Sequence, residues 1–282
     1  MSPTPHLKAE LDQLIEGADL ASHLERDPIR FVHRYPDPLD QEVISIFAAL
    51  LAYGRVSLIG RALEELTARI GPHPFAAAQA QRSDAEVLAQ FDGFVYRLTR
   101  GEDLARLWQG VSALIAAHGS LGAALTAFDD PAAPNLSGAI AGLGAAVRAA
   151  TPGFERRQAF EHFLPDPAKG SACKRWWMWL RWMVRGPDEI DLGLWRHLGP
   201  HRLLMPLDTH IHRLSRYLGL TARKSADGKT AAEITAALRA LSPDDPLRYD
   251  FALAHLGISG QCPTHRVASI CAHCGIRTIC SL

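Results

Sequence analysis

Four cysteines close to the end of the chain have the spacing of a metal site. Cys262, Cys271, Cys274 and Cys280 follow the pattern C-x8-C-x2-C-x5-C within 19 residues. Because thiols packed this closely in a cytosolic protein indicate metal binding rather than disulfides, we predict that all four are ligands. Four sulfur ligands suit an iron–sulfur cluster or a structural zinc ion. We expect an iron–sulfur cluster, with zinc as the alternative.

Two further residues have side chains suited to covalent chemistry. Lys174 follows the loop Gly170–Cys173 at the start of a tryptophan-rich segment. A lysine amine can attack a carbonyl or a sugar carbon, although an isolated lysine is far more often a solvated surface residue. Asp208 precedes a segment with apolar residues at helical spacing, where it is either an N-cap or a catalytic carboxylate. The sequence leaves both alternatives open.

The charge distribution permits a polyanionic partner. The 282 residues have a formal net charge of zero, but residues 1–152 contain 12 Lys and Arg against 18 Asp and Glu, a balance of −6. Residues 153–282 contain 18 against 12, a balance of +6. A basic half that faces nucleic acid would account for this asymmetry, and so would ordinary variation in surface charge.

Composition excludes some classes of protein. Hydrophobic residues make up 48% of the chain, which excludes a disordered protein. No apolar run approaches the roughly 20 residues of a membrane span, and the N-terminal residues do not form a signal peptide. We therefore expect a cytoplasmic protein, associated with the nucleoid if it binds DNA.

Nearly every segment with a readable pattern is helical. Apolar residues recur at helical spacing in the segments 40–54, 57–71, 84–88, 102–118, 121–128, 137–150, 172–185 and 208–219. In the segment 172–185 they predict an aromatic core face opposite a basic face that includes Lys174, Arg181 and Arg185. Alternating strand patterns are almost absent. The predicted fold class is therefore all-α.

Together these motifs resemble the endonuclease III branch of the helix-hairpin-helix DNA glycosylases. The resemblance covers residues 160–282 well and residues 40–70 weakly. A glycine loop before Lys174 is similar to the family's hairpin, Pro206–His210 is similar to its aspartate motif, and the cysteines resemble its cluster run. The chain differs at Ala172, which replaces the second glycine of the hairpin, and in its longer first cysteine gap.

The resemblance implies a role for each matching residue. It makes Lys174 the Schiff-base nucleophile, Asp208 the catalytic carboxylate, and the four cysteines the ligands of a [4Fe–4S] cluster. Implied contacts to DNA are Gly170, Ser171, Arg175, Arg181, Arg185, Tyr53 and Arg55. It also implies two helical layers of the endonuclease III type. Residues 45–195 would form a helical barrel domain with the lysine hairpin, and residues 1–44 with 196–282 a cluster domain.

The function implied by this resemblance is base-excision repair. We expect a monomeric DNA glycosylase and AP lyase, a hydrolase and lyase that acts on double-stranded DNA with a damaged base or an abasic site. Flipping the base out of the duplex would give Lys174 access to C1′. The alternative is a non-catalytic protein that binds DNA structures and contains the same iron–sulfur or zinc site. The sequence predicts no membrane partner.

Overall fold

The fold is all-α, as the sequence predicts. The computed structural model describes residues 4–80, 82–151 and 158–282. Its helices are α1 (Pro5–Glu16), α2 (Leu20–Leu24), α3 (Pro38–Leu50), α4 (Val56–Ile70), α5 (Pro74–Gln79), α6 (Asp84–Phe91), α7 (Gly101–His118), α8 (Leu121–Ala127), α9 (Ser137–Ala149), α10 (Gln158–Phe163), α11 (Lys174–Val184), α12 (Thr209–Tyr217), α13 (Gly228–Leu241), α14 (Asp250–Ile258) and α15 (Ala268–Cys271). Short 3₁₀ helices span Pro28–Phe31, Pro167–Lys169, Arg196–Leu198 and Pro200–Arg202. In the described part of the chain, the strands are β1 (Val95–Tyr96) and β2 (Thr99–Arg100), which pair antiparallel.

The chain divides into two compact units. The contiguous unit comprises residues 24–169, and the terminal unit comprises residues 1–23 with 170–282. The division therefore falls near residues 24 and 170, whereas the sequence placed domain limits at 45 and 195. One consequence is that Lys174 and the four cysteines belong to the same unit.

The contiguous unit is built around α3 and α7. Helix α3 is surrounded by the core, and its residues from Val43 to Leu50 are fully buried. Two buried carboxylates at its start accept hydrogen bonds from other helices: Asp40 from the Phe75 amide at 2.7 Å, and Glu42 from the Gly122 amide at 3.1 Å. These acids satisfy amide groups at the first turns of α5 and α8, which otherwise lack acceptors.

Helices α7 and α9 approach each other closely at a glycine. A Cβ placed on Gly110 would lie 2.6 Å from Cγ1 of Val147. No side chain larger than hydrogen fits at that distance without displacing α9, because protein cores are close-packed. The glycine therefore sets the spacing between these helices.

The core of the terminal unit joins both ends of the sequence. Leu7 and Leu11 from α1 pack in one cluster with apolar residues of the C-terminal helices, namely Met205, Leu207, Ile211, Leu214, Leu218, Leu220, Ala231, Ile234, Leu238, Leu241, Tyr249, Leu253, Leu256, Cys262 and Ile276. The Thr278 hydroxyl donates to Glu10 at 2.5 Å, and the Tyr249 hydroxyl to Asp12 at 3.1 Å. The first helix is therefore an integral part of this core.

Helix α11 is a core helix with no exposed basic face. Trp176, Trp177, Trp179 and Trp182 are each at most 2% exposed, so the predicted packing role of the tryptophans is confirmed. The predicted amphipathic pattern is wrong, because Arg181 is also buried, at 4% exposure. Buried guanidinium groups require carboxylate partners, and these come from distant parts of the sequence.

Candidate functional site

Lys174 is the first residue of α11 and follows a tightly constrained loop. Gly170 has φ +82°, and its carbonyl accepts a hydrogen bond from the Gly228 amide at 3.0 Å, which fixes the loop to the start of α13. The Ser171 hydroxyl accepts from the Cys173 amide at 3.2 Å. Ser171 and Gly170 are exposed, as a role in binding phosphate would require.

Backbone strain is stored directly before the lysine. Cys173, the N-cap of α11, has φ +48° and ψ +38°, in the left-handed region. This conformation costs a residue other than glycine about 1–2 kcal/mol, and such strain is concentrated at functional sites. The Cys173 side chain is 2% exposed. Lys174 itself is half-buried, with its Nζ 3.4 Å from Sδ of Met178 one turn further along the helix.

Asp208 is the N-cap of α12. Its Oδ1 accepts hydrogen bonds from the amides of His210 and Ile211, both at 2.9 Å. The structural alternative for this residue is therefore confirmed. Oδ2 accepts no hydrogen bond from the described residues, so this half-buried carboxylate still has an oxygen for a second partner. Leu207 and Ile211 on either side are buried in the core and fix the position of the helix start.

Lys174 and Asp208 share an electrostatic environment around a third residue, Asp250. This carboxylate opens α14 and is 3% exposed. Burial raises the pKa of Asp250, while Arg181 and Lys174 lower it. The negative charge of Asp208 raises the same pKa. The amine and the carboxylate identified from the sequence, 34 residues apart, therefore act on one buried group. Nothing in the sequence pattern around residue 250 indicated it.

Arg181 and Arg185 form a charge network inside the terminal unit. Arg181 donates from Nη1 to Asp250 at 2.5 Å and from Nε to Asp191 at 3.2 Å. Arg185 donates from Nη1 to Asp191 and from Nε to Asp245, both at 2.9 Å. It also pairs with Asp188. We name these six residues, Arg181, Arg185, Asp188, Asp191, Asp245 and Asp250, the charge network.

These pairings correct the predicted role of the arginines of α11. Arg181 is too deeply buried to reach a DNA phosphate, and Arg185, with its side chain 18% exposed, is already paired with three carboxylates. Arg175 is 8% exposed. The sequence pattern suggested surface cations because partners distant in sequence cannot be recognised from periodicity.

The charge network contains four carboxylates for two guanidinium groups. Burial raises the pKa of Asp191 to about 6, despite the opposing effects of Arg181 and Arg185. Removing an ionised carboxylate from water is costly, and two arginines do not balance four acids. The network is therefore rich in negative charge, and Asp191 gains a proton on mild acidification.

The four candidate metal ligands line one cavity. Cys262, Cys271, Cys274 and Cys280 surround a space of about 260 Å³ in the terminal unit. Within the described residues, no three Cys, His, Asp or Glu side chains converge closely enough to hold a metal ion. A compact metal site is thus not shown, but the cavity brings together the four thiols that the sequence singled out.

The thiols are close enough to influence one another. Burial raises the pKa of Cys262 and of Cys274, and the neighbouring cysteines raise both further. Arg213 opposes this at Cys262, where its Nη2 also donates to the Cys262 carbonyl at 2.8 Å. Mutual repulsion of thiolates is relieved by a bound cation, so the donor set suits a thiolate-bound metal or cluster.

Tyr53 and Arg55 lie in the contiguous unit, between α3 and α4. The Tyr53 hydroxyl is 2.7 Å from Oγ1 of Thr99 and donates to the Tyr96 carbonyl at 3.1 Å. Tyr53 is half-buried, and its hydroxyl group is hydrogen-bonded to the β1–β2 hairpin. Arg55 is exposed at the N-cap of α4, where its side chain makes no capping hydrogen bond.

The β1–β2 hairpin is a surface feature that the sequence analysis missed. Val95 is 61% exposed and Leu98 39%, beside the exposed Arg97 and Arg100. Arg97 has φ +53° in the turn, a position where a sequence prediction expects glycine or asparagine. Strands of two residues give no measurable alternation, so the available signal was limited to Phe94-Val95-Tyr96 followed by Thr99.

Comparisons with known proteins identify a family but no function. No curated protein and no solved structure gives a significant match. No single helix in the described residues is long and apolar enough to cross a membrane; α7 and α8 pass a test of length and hydropathy only as a pair, bent by 74°. A family model described as "Protein of unknown function (DUF2400)" matches residues 27–259, which include Lys174, Asp208 and Asp250 and end before Cys262. The chain therefore belongs to the DUF2400 family.

Proposed function

We propose that this protein is a DNA glycosylase and AP lyase that acts through a Schiff base at Lys174. The observation that carries the proposal is the position of Lys174 at the start of α11, directly after the exposed Gly170 and Ser171, in the same unit as Asp208 at the start of α12. The strained backbone at Cys173, which places Lys174 at the start of α11, supports it. The resemblance of these motifs to the endonuclease III branch supplies the reaction class.

The proposed chemistry assigns one step to each side chain. The free amine of Lys174 attacks C1′ of a flipped-out nucleotide, and the C1′–N bond to the base breaks as the base leaves with the electron pair. The amine proton passes to solvent, and opening of the sugar ring gives the imine. Asp208, held by two α12 amides, stabilises the positive charge that develops at C1′.

The cysteine tail is proposed to hold the cofactor. Cys262, Cys271, Cys274 and Cys280 would bind a [4Fe–4S] cluster or zinc as thiolates, and their shared cavity supports this assignment. When bound, the group would supply a cross-link that stabilises the tail. The proposed reaction at Lys174 does not pass through it.

The hairpin of the contiguous unit supports DNA binding. Exposed Val95 and Leu98 are neighbours in sequence of the exposed Arg97 and Arg100. Arg55 is also exposed and follows Tyr53, whose hydroxyl hydrogen-bonds to the hairpin. Apolar side chains flanked by arginines are typical of surfaces that enter a groove and unstack base steps. Because Arg175 and Arg181 are buried and Arg185 is paired with three carboxylates, we assign the contacts with phosphate to Arg55, Arg97 and Arg100 of the contiguous unit.

One observation favours the non-catalytic alternative. Oδ1 of Asp208 accepts both capping hydrogen bonds of α12, so the position of this residue does not require a catalytic role. A protein that binds DNA structures without turnover would use the same hairpin and cysteine tail. The two proposals differ in whether Lys174 forms a covalent bond.

Borohydride trapping distinguishes these functions. Wild-type protein incubated with abasic-site duplex and borohydride is expected to give a covalent adduct, and Lys174→Gln is expected to abolish it. Lys169→Gln is the matched control, because Lys169 is also near the loop but exposed. Asp208→Asn retains a good N-cap and is expected to slow trapping by at least a hundredfold.

Two outcomes would overturn the catalytic proposal. Wild-type protein that traps no abasic or oxidised-base duplex, yet binds it, would favour the binding protein. Loss of the adduct in Lys169→Gln rather than Lys174→Gln would place the nucleophile elsewhere.

DNA binding is expected to weaken steeply between about 50 and 200 mM salt, because bound counterions are released. Leu98→Ala is expected to weaken DNA binding without changing this salt dependence, because it removes an apolar contact.

A further inference from the structure

The lysines of the terminal unit are concentrated in one region. The chain contains only five lysines, at positions 8, 169, 174, 224 and 229, and Lys169 belongs to the contiguous unit. Of the other four, Lys8 is paired with Asp12 at 2.5 Å. The remaining three lie in two short segments that are distant in the sequence, residues 170–174 and residues 224–229. We name residues 224–229 the lysine segment.

A backbone contact joins the lysine segment to the loop before Lys174. The Gly228 amide donates to the Gly170 carbonyl at 3.0 Å, and a Cβ on Gly228 would lie 3.0 Å from the Ser171 carbonyl oxygen. This approach leaves little room for a side chain at residue 228. Lys229 follows directly in the chain, so its backbone lies beside the loop. The fold therefore collects cations from two separate segments in one region of the terminal unit.

Hydrogen bonds hold the lysine segment without using its lysines. The Thr230 hydroxyl donates to the Ser225 carbonyl at 2.6 Å and accepts from Nε of Arg223 at 2.7 Å. Arg223 also donates to Asp227 at 2.8 Å, and Asp227 accepts from the Thr230 amide at 2.9 Å as the N-cap of α13. The Arg223 carbonyl accepts from Nε2 of His212 on α12 at 3.0 Å. The backbone of the segment is therefore fixed by residues other than its two lysines.

The charges of these lysines are not neutralised by the protein. Lys224 and Lys229 are exposed, and neither forms an ion pair within the described residues. The acid of the segment, Asp227, is already paired with Arg223. The Lys174 amine lies against the sulfur of Met178 rather than against a carboxylate. A rigid surface with unpaired ammonium groups suits a ligand that supplies several negative charges.

We propose that Lys224 and Lys229 bind the phosphate backbone of DNA beside the loop that precedes Lys174. The choice of DNA as the polyanion rests on the proposed function, whereas the presence of a phosphate-binding surface does not. Lysine contacts phosphate as a point charge, so two lysines on a rigid segment position a duplex without reading its sequence. In the terminal unit, these lysines take the role that the buried arginines of α11 cannot take.

The salt dependence of DNA binding measures these contacts. Fluorescence anisotropy with a labelled duplex that contains an abasic-site analogue gives the binding constant between about 50 and 200 mM KCl. Each phosphate contact contributes about 0.9 to the slope of log K against log salt. Lys224→Gln and Lys229→Gln are each expected to lower this slope by about 0.9, and the double variant by about 1.8.

Lys8→Gln is the matched control. It removes the same charge from a lysine of the same unit that is already paired with Asp12, so the salt slope should equal that of wild type. Replacing Lys224 and Lys229 by arginine keeps both charges and should restore the slope. Because both lysines are exposed, urea denaturation should show nearly unchanged stability in every variant. Wild-type protein that binds no duplex, a double glutamine variant with the wild-type slope, or an equal loss in Lys8→Gln would overturn the proposal.

Neutral methylphosphonates test whether the contacts lie near the reacting nucleotide. One phosphate at a time is replaced on either side of the abasic site. At the contacted positions, the replacement is expected to weaken binding by wild type but not by the double glutamine variant, because the lysine that the phosphate attracts is already absent. Equal losses of affinity for both proteins at every position would refute the placement of Lys224 and Lys229 on these phosphates.

Borohydride trapping distinguishes failure of this proposal from failure of the proposed function. If the salt slope falls as expected but wild-type protein traps no DNA, the proposed catalysis fails and the binding surface stands. If wild-type protein traps DNA and its slope does not depend on either lysine, the surface fails and the catalysis stands. Vesicles that contain phosphatidylserine test a membrane as the partner. Loss of vesicle binding in the double variant, with unchanged DNA binding, would overturn the assignment to DNA.

Discussion

The protonation of Asp191 makes a specific contribution to the pH dependence of folding. Its pKa rises from 3.8 in the unfolded chain to about 6 in the folded protein. Between these values the folded protein holds a proton that the unfolded chain has released. The free energy of unfolding therefore falls as the pH rises through this window. Stability from this group is fully present below pH 3.8 and is lost once the pH exceeds about 6.

The size of the effect follows from the shift. Each pKa unit corresponds to about 1.4 kcal/mol, so a shift of roughly two units amounts to about 3 kcal/mol. About 2 kcal/mol of this falls between pH 4.5 and 7.5, a range accessible to urea denaturation. Asp191→Asn abolishes the titration at a constant cost of about 1 kcal/mol for a weakened hydrogen bond.

The expected result is a stability difference that depends on pH. The free energy of unfolding of the wild type minus that of Asp191→Asn should decrease by about 2 kcal/mol from pH 4.5 to 7.5. The variant is therefore more stable, relative to wild type, at neutral pH than at acidic pH. Asp188→Asn provides a control of opposite sign. Although burial opposes it, the Asp191 and Ile190 amides and Arg185 lower the pKa of Asp188. Its stability contribution is therefore lost as the pH falls. A difference for Asp191→Asn that stays constant or increases with pH would refute the reasoning.

The remaining predictions concern packing and the cysteine tail. Gly110→Ala should lower the free energy of unfolding by about 1–3 kcal/mol through overpacking against Val147, whereas Gly138→Ala, which meets no atom within 4 Å, should be neutral or stabilising; chemical denaturation measures both. Equal changes in the free energy of unfolding for the two variants would contradict the close approach of α7 and α9. Purified protein should contain iron and sulfide and absorb at about 400 nm. Cys274→Ser should lose the iron and the sulfide, whereas Cys173→Ser should retain them. One zinc per chain without iron would contradict the cluster.

The helices were predictable because their signals are local. The segments 102–118 and 84–88 correspond to α7 and α6, although the N-caps of these helices are Arg100 and Ser83. Asp208 likewise caps α12 as its position suggested, because N-capping involves residues only two or three positions apart.

The charge network could not be predicted from the sequence. Arg181 and Asp250 are 69 residues apart, and helical periodicity assigns arginine to a solvated face whenever no partner is known. The burial of α11 on all sides is a property of the packed unit, not of its own sequence. The hairpin was missed for a related reason, since it is held by a hydrogen bond between Tyr53 and Thr99, which are 46 residues apart.

The contribution of α1 to the terminal unit has a consequence for biosynthesis. Residues 24–169 form a continuous segment, so the whole contiguous unit has been synthesised before most of the terminal unit. Leu7 and Leu11 emerge first, but the core that buries them contains residues as late as Ile276. The N-terminal helix must therefore wait for almost the whole chain, with its apolar face accessible to chaperones throughout translation.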